Sequence, residues 1–389
     1  MNYDFDRIQD HRANGGIRWN EIPGRTDYLG MGTADLDYDC PPSVREDLLK
    51  VAEANCYNYR FRPEEYYESV IGFLKRRFGQ TIEKDWIFNV PGTLASVRFA
   101  VRCFTKPGDK VLMHNPLFEP LKLTITSSGC EVVYSNLVLK DGRYEIDWED
   151  FENKIRTEKP AVFMLCSPHN PTGRIFTREE LTRMVEICAE NDVKIISDEV
   201  HFLVNFDGKK HVCILDACEK AKDICVQIFS LSKGFNLMSL PNAFVVIADP
   251  AMRKKYADFG TAHAFQYAYN LFAFAAAKAV TDGRADQWLD DMTAYLQENR
   301  DIFAEECKRR NLPITPIVPE ASFVYWIDCR DCGIPAEELG SAFLERAGIA
   351  LNNGTHHGSE GAGFVRLNFA VTREVLYEAL DRLEKMFAK

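Results

Sequence analysis

The sequence contains no long uninterrupted apolar run, no excess of basic residues, no internal repeat and no tract of low complexity. No window approaches the ~18 consecutive apolar residues that a transmembrane helix needs, so we expect no membrane span. With 47 Lys and Arg against 58 Asp and Glu the net charge is −11, and because such a chain repels polyphosphates we expect no nucleic-acid partner. The N-terminal residues are charged and polar, which does not fit a secretory signal. We therefore expect a cytoplasmic protein.

Cysteine, in contrast, is abundant, with twelve residues in a chain of 389. A chain of this length does not need disulfides for stability, so reduced thiols are expected. Cys329 and Cys332 form a CxxC pair, for which a zinc site would need further ligands, and His356 and His357 are the candidates. Because free cysteine commonly packs as a small hydrophobic side chain, we favour thiols without a metal and predict no metal site.

Between about residues 85 and 250, short apolar runs alternate with helical periodicity, which predicts parallel strands joined by helices. The clearest helix follows Thr177, because Thr177 and Glu180 make a capping box and Asn191 can end the helix. A strand, a helix and a strand in this order give a right-handed parallel unit. The candidate strands are Lys110–His114, Glu131–Ser135, Ala161–Cys166, Lys194–Ser197, Ile224–Phe229 and Ala243–Ala248.

The pattern changes at about residue 286. Long amphipathic helices are predicted over Trp288–Arg310 and Thr372–Phe387, with strands over Ser322–Cys329 and Phe364–Phe369. These elements predict a large domain over residues 49–285 and a smaller α+β domain formed by residues 1–48 and 286–389.

Polar residues follow three of the apolar strands at the end where open α/β sheets bind their ligands. Asn170 follows the first of these strands, Asp198 the second and Lys233 the third. Each has an ordinary explanation on its own, as part of a turn, a helix cap or a solvated loop. An Asp, an Asn and a Lys in this order form a much more specific pattern.

These segments resemble the fold-type-I pyridoxal phosphate (PLP) enzymes of the aspartate aminotransferase superfamily, and more narrowly the cystathionine β-lyase and C–S lyase branch. The resemblance implies a PLP-dependent transferase-like fold, whose large α/β domain has a mostly parallel seven-stranded sheet flanked by helices. The matching segments are ADLDYDCPP, YNYRFRP, LCSPHNPTGR, SDEVH, SKGFN and GFVRLN.

The resemblance also implies roles for residues around the cofactor ring. Lys233 would bind PLP covalently and then act as the base that removes the substrate Cα proton. Asp198 would keep the pyridine nitrogen protonated, and Asn170 would bond the phenolic oxygen and lie beside the substrate. Phe118 would stack on the ring, and His201 stands where many aminotransferases place a tyrosine that bonds the phenolic oxygen.

Other positions match residues that bind the phosphate and the substrate carboxylate. Arg366 would grip the α-carboxylate with its planar guanidinium, and Ala34 would line the same pocket. Tyr59 matches a tyrosine that reaches the phosphate of the neighbouring subunit, which implies a homodimer. The phosphate would otherwise be held by backbone N–H groups at a helix N-terminus and by two hydroxyls, from Gly92, Thr93, Leu94, Ser230 and Ser232.

The implied function is a C–S β-lyase that converts cystathionine, or a related cysteine S-conjugate, to a thiol, pyruvate and ammonia. Two alternatives stay open: a class I/II aminotransferase, and a regulatory protein on the same fold that binds a transcriptional activator. His201 and Pro241 depart from typical aminotransferases in the way that the lyase branch does. Gly32-Thr33 and the loop at residues 351–358 depart from the lyase branch, so the substrate side chain stays open.

Overall fold

The computed structural model describes residues 3–59, 62–264 and 270–388. Its strands are β1 (Leu29–Gly30), β2 (Ile87–Val90), β3 (Lys110–Asn115), β4 (Glu131–Lys140), β5 (Arg143–Ile146), β6 (Val162–Cys166), β7 (Lys194–Asp198), β8 (Cys225–Phe229), β9 (Ala243–Val246), β10 (Thr315–Ile317), β11 (Val324–Asp328), β12 (Ile349–Ala350), β13 (Asn352–Asn353) and β14 (Phe364–Asn368). Its helices are α1 (Ile17–Asn20), α2 (Pro42–Glu53), α3 (Glu64–Phe78), α4 (Thr93–Phe104), α5 (Glu119–Thr126), α6 (Trp148–Glu158), α7 (Arg178–Glu190), α8 (Ala221–Ile224), α9 (Ser232–Phe235), α10 (Pro250–Ala262), α11 (Leu271–Thr281), α12 (Asp286–Arg309), α13 (Leu339–Ala342) and α14 (Arg373–Phe387).

The larger sheet has the strand order β2-β9-β8-β7-β6-β3-β4-β5. Six of its strands run in one direction, and β9 and β5 run in the other. The predicted α/β fold is confirmed, although the sheet has eight strands where seven were predicted. The additional strand is β5 at the edge, which pairs with β4 through a tight turn in which Asp141 and Gly142 both have positive φ.

Local patterns explain these elements. Every residue of β6 is buried, with Val162 and Met164 in one apolar cluster and Phe163 and Leu165 in the other, on the opposite face of the sheet. The predicted capping box of α7 is present, and five of the six predicted strands end within two residues of the observed bounds. The exception is β4, which continues to Lys140 because it forms one arm of the edge hairpin.

The C-terminal part of the chain forms a second, antiparallel sheet with the order β10-β11-β14-β13. Helices α12 and α14 pack together beside it. Strand β1 pairs with β12, through Leu29 and Ile349, so the N-terminal segment packs with the C-terminal part, while the predicted domain limits stay a prediction. Among the helices described, none is both long and apolar enough to cross a membrane.

Candidate active site

Three neighbouring strands of the larger sheet bring the predicted polar residues to one edge. Strand β7 lies between β6 and β8, and Asp198 at its end is in register with Cys166 of β6 and Ile228 of β8. Asn170 follows β6 and Lys233 follows β8, so both leave the sheet at the same end as Asp198. The candidate site therefore lies at the carboxyl ends of the parallel strands.

Lys233 lies in the short helix α9, and its Nζ donates a hydrogen bond to the carbonyl oxygen of Ala34. Burial and the Arg366 cation together lower the pKa of Lys233 to about 8, against the opposing effects of Asp35 and Asp198. Near neutral pH an appreciable fraction of the amine is therefore free to act as a nucleophile or a base. The helix packs closely, because a Cβ at Gly234 would lie 2.4 Å from Leu203 Cδ1.

Asp198 is buried, and its carboxylate accepts a hydrogen bond of 3.1 Å from the backbone N–H of Val200. Burial, together with the neighbouring Glu199, raises its pKa to about 7, against the opposing effects of the Val200 N–H and Lys233. Glu199 serves a different network, since its carboxylate contacts His211 Nε2 at 3.0 Å and Gln227 Nε2 at 2.9 Å. A buried carboxylate with a raised pKa is well suited to bind a cationic hydrogen-bond donor.

Arg366 on β14 brings its guanidinium to the same place. Its Nη1 donates to Asn170 Oδ1 at 3.2 Å, and its Nη2 donates to Asn352 Oδ1 at 2.6 Å and to Gly32 O at 3.2 Å. Burial lowers the pKa of Arg366 to about 10, so the group stays charged. Within the described residues its buried Nε has no hydrogen-bond partner, which leaves a donor for an anionic group.

His201 lies beside Asn170, with its Nε2 3.5 Å from Asn170 Nδ2. Its Nδ1 lies 2.8 Å from Ser322 Oγ. Burial, with the cations Lys233 and Arg366 nearby, lowers the pKa of His201 well below its ordinary value, so the imidazole is neutral. Phe118 also lies near Arg366, with its ring centroid 6.0 Å from the guanidinium carbon.

The predicted anion-binding residues lie around the N-terminus of α4. Gly92 caps this helix with φ +98°, and the N–H groups of the first turn have no partner within the helix. A Cβ at Gly92 would lie 3.7 Å from Pro241, the residue before Asn242. Ser230 Oγ is 2.8 Å from Asn242 O and 3.0 Å from Ser232 Oγ, so the two serine hydroxyls lie near this helix end. Thr93 is half-buried and Leu94 is 42% exposed.

The predicted site residues Ala34 and Tyr59 lie in different environments. Ala34 is buried and contacts Lys233 through its carbonyl oxygen, while Tyr59 is 84% exposed on the surface of the chain. The sequence reasoning missed Asn352 and Ser322, which hold Arg366 and His201. Asn352 lies on the short strand β13 and Ser322 lies just before β11, and neither belongs to a recognisable motif, so only their contacts with distant residues identify them.

The fold and this set of side chains define a class of enzyme. The sequence model of the family "Aminotransferase class I and II" matches residues 26–383, and the chain belongs to that family. It is similar to cystathionine beta-lyase PatB of Bacillus subtilis, with 30% identity over 384 residues and 98% of each chain covered.

Two solved structures that contain PLP resemble the whole chain. Cystalysin from Treponema denticola, with its pyridoxal 5'-phosphate, superimposes with a TM-score of 0.94 at 27% identity and 99% coverage of each chain. The PLP-bound C–S lyase from Staphylococcus hominis gives a TM-score of 0.92 at 27% identity, over 100% of this chain and 99% of the other. The predicted resemblance to the C–S lyase branch is thereby confirmed.

The residues of this chain fit PLP, which was the predicted cofactor. The buried carboxylate of Asp198 suits a protonated pyridine nitrogen, and the amine of Lys233 suits a bond to the aldehyde carbon. The N-terminus of α4 and the hydroxyls of Ser230 and Ser232 offer donors to a phosphate.

Proposed function

We propose that the protein is a PLP-dependent C–S β-lyase that cleaves cystathionine, or a related cysteine S-conjugate, to a thiol, pyruvate and ammonia. The observation that carries this proposal is the convergence of a partly neutral Lys233 amine with Asp198 and with the Arg366 clamp. The similarity over full length to a cystathionine beta-lyase and to C–S lyases supports the lyase reaction.

Each of these residues has a task in that reaction. Bound PLP supplies an electron sink that acidifies the substrate Cα proton and allows the Cβ–S bond to break. Arg366 binds the substrate α-carboxylate and, with Asn170, fixes the orientation of Cα. Lys233 holds the cofactor through its Nζ, and its released amine then takes the Cα proton. Asp198 anchors the pyridine nitrogen and keeps it protonated.

We also propose a cytoplasmic homodimer in which Tyr59 of one copy reaches the phosphate site of the other. The exposure of Tyr59, at 84%, and of Tyr57, at 56%, supports a surface that a second copy would cover. The twelve cysteines form no disulfide with one another, which supports a reducing compartment.

An aminotransferase is the second candidate, because the family match is to aminotransferases and the same side chains serve both reactions. The difference is the fate of the proton on Lys233. In transamination Lys233 Nζ would return the Cα proton to a carbon of the bound cofactor. In β-elimination the Cβ–S bond would break before any such return, and the thiolate would leave.

The decisive test measures pyruvate and thiol release from L-cystathionine by the PLP-loaded protein without any 2-oxo acid. We expect many turnovers, because β-elimination needs no amino acceptor. A halt after about one equivalent, relieved by a 2-oxo acid, would establish transamination instead. Lys233→Ala should abolish the reaction, while Lys220→Ala, which changes an exposed lysine, should leave it unchanged. Binding of PLP without any reaction would favour the regulatory alternative.

A further inference from the structure

The CxxC pair predicted from the sequence lies in a tight turn directly after β11. The backbone N–H of Cys332 donates to the carbonyl oxygen of Cys329 at 3.1 Å, which closes the turn. A turn of this kind brings its first and fourth Cα atoms within about 7 Å. Because disulfides join Cα atoms about 4.4 to 6.8 Å apart, the backbone holds these two cysteines at a distance that a disulfide can span.

The two thiols differ in their access to solvent. Cys329 is fully buried, with its N–H bonded to Gly363 O at 2.9 Å, so the edge between β11 and β14 fixes its position. Cys332 is only partly buried. A dissolved reagent therefore meets Cys332 first, and Cys329 is the neighbouring thiol that can react with whatever Cys332 has bound.

The surroundings of Cys332 favour its thiolate. The Cys329 thiol and the backbone N–H of Ile334 donate to its sulfur, and these contacts, with the Arg346 cation, lower its pKa to about 6. The Cys332 thiolate, together with burial, raises the pKa of Cys329 far above its ordinary value. At other cysteines burial is the main effect and raises the pKa, as at Cys40, Cys103, Cys166, Cys188, Cys213, Cys225 and Cys307.

A shared zinc ion does not account for this pair. Within the described parts of the chain, the side chains close enough to share a metal ion are Glu199, His211 and Cys213. The candidate ligand His357 is engaged elsewhere, since its Nδ1 lies 2.9 Å from Leu117 O and its ring packs against Trp326.

We propose that Cys332 and Cys329 form a thiol–disulfide exchange site that reacts with small aliphatic disulfides. The Cys332 thiolate attacks one sulfur of the disulfide, the S–S bond breaks, and one thiolate leaves and takes a proton. Cys329 loses its proton, attacks Cys332 Sγ and expels the second thiolate. The protein gains one disulfide through the loss of two electrons and two protons, and the small disulfide is reduced to two thiols. The site does not depend on the proposed lyase reaction.

The test uses the PLP-loaded protein with oxidised glutathione and follows intact mass and peptide mapping. We expect the loss of two hydrogen atoms, located to the peptide that contains Cys329 and Cys332. Cys329→Ser should stop at a stable glutathione adduct on Cys332, and Cys332→Ser should abolish both products at this turn. Cys56→Ser is the matched control, because Cys56 is an exposed thiol outside the turn.

Alkylation rates provide a second measurement on the unchanged protein. The rate at Cys332 should reach half its maximum near pH 6, whereas an ordinary exposed thiol does so near about pH 8.5. Adducts at Cys56 alone, or a Cys332 alkylation profile like that of an ordinary thiol, would overturn the proposal.

Discussion

Three side chains of the site, Lys233, Asp198 and Arg366, bear charges that burial disfavours. Burial lowers the pKa of Lys233 to about 8 and that of Arg366 to about 10, and it raises the pKa of Asp198 to about 7. Each shift favours the neutral form, so the groups are prepared to exchange protons or to gain from an ionic partner. An amino-acid substrate with its carboxylate would provide that partner for Arg366.

Replacement of Arg366 by lysine tests whether the Arg366 guanidinium binds the substrate carboxylate. Arg366→Lys removes the planar fork that reaches Asn170 and Asn352 together. We expect KM for the amino-acid substrate to rise about 10- to 100-fold, as the loss of a charge-assisted hydrogen bond of about 1.5 to 3 kcal/mol implies, with PLP retained. Steady-state kinetics and the cofactor absorption spectrum measure this, and Arg382→Lys, a change at an arginine paired with Glu378, is the control. An unchanged KM would exclude Arg366 from carboxylate binding.

The loop between β13 and β14 joins the carboxylate clamp to the segment before Phe118. Just before this loop, Asn352 on β13 accepts a hydrogen bond from Arg366. Further along, His357 contacts Leu117 twice, because Leu117 N–H donates to His357 O at 2.8 Å and His357 Nδ1 lies 2.9 Å from Leu117 O. The loop therefore holds the two sides of the proposed site in one arrangement.

Replacing Gly358 by alanine tests whether the position of this loop affects stability and the retention of PLP. Its φ is +92°, and a Cβ there would lie 2.1 Å from Asn115 Oδ1, so Gly358→Ala adds a clash to backbone strain. The control Gly333→Ala has φ +76° and nothing within 4 Å, so it measures the strain alone. We expect urea unfolding to show losses of about 2 to 4 kcal/mol for Gly358→Ala and about 1 to 2 kcal/mol for the control. Faster PLP release should accompany only Gly358→Ala, and equal effects of the two changes would contradict this role of the loop.

Over the whole molecule, buried histidines link stability to pH, as His114, His169 and His357 show. Burial lowers the pKa of His114 to about 4 and that of His357 to about 3, and it lowers that of His169 well below its ordinary value. In each case the unfolded chain binds a proton more readily than the folded protein does. The stabilisation is thus complete above about pH 6.5 and is lost as the pH falls toward the folded-state values.

Urea unfolding of the PLP-loaded protein at pH 8, 7, 6 and 5 checks this prediction. Each histidine should cost about 2 kcal/mol of unfolding free energy at pH 5 relative to pH 8. His357→Asn should reduce this pH dependence by about the share of one histidine, whatever its effect at pH 8. A free energy of unfolding that stays constant from pH 8 to pH 5 would contradict the prediction.

The local elements and the family could be predicted from the amino-acid sequence alone. The buried runs of β6 and β7, the capping box of α7 and the polar residues after three strands can each be read within a short segment, because periodicity and capping are local. Those patterns also sufficed to recognise the family that the comparison confirms. The edge strand β5 was missed, since its short hairpin is stabilised by pairing with β4.

Which side chains share an environment could be seen only in the folded protein. Ser322 meets His201 across 121 residues of sequence, and Asn352 meets Arg366 where β13 and β14 pair. The pKa of Lys233 likewise depends on burial beneath the N-terminal segment and on a cation from the second sheet. Such contacts and pKa shifts arise from packing between distant segments, and that packing cannot be predicted from a short stretch of sequence.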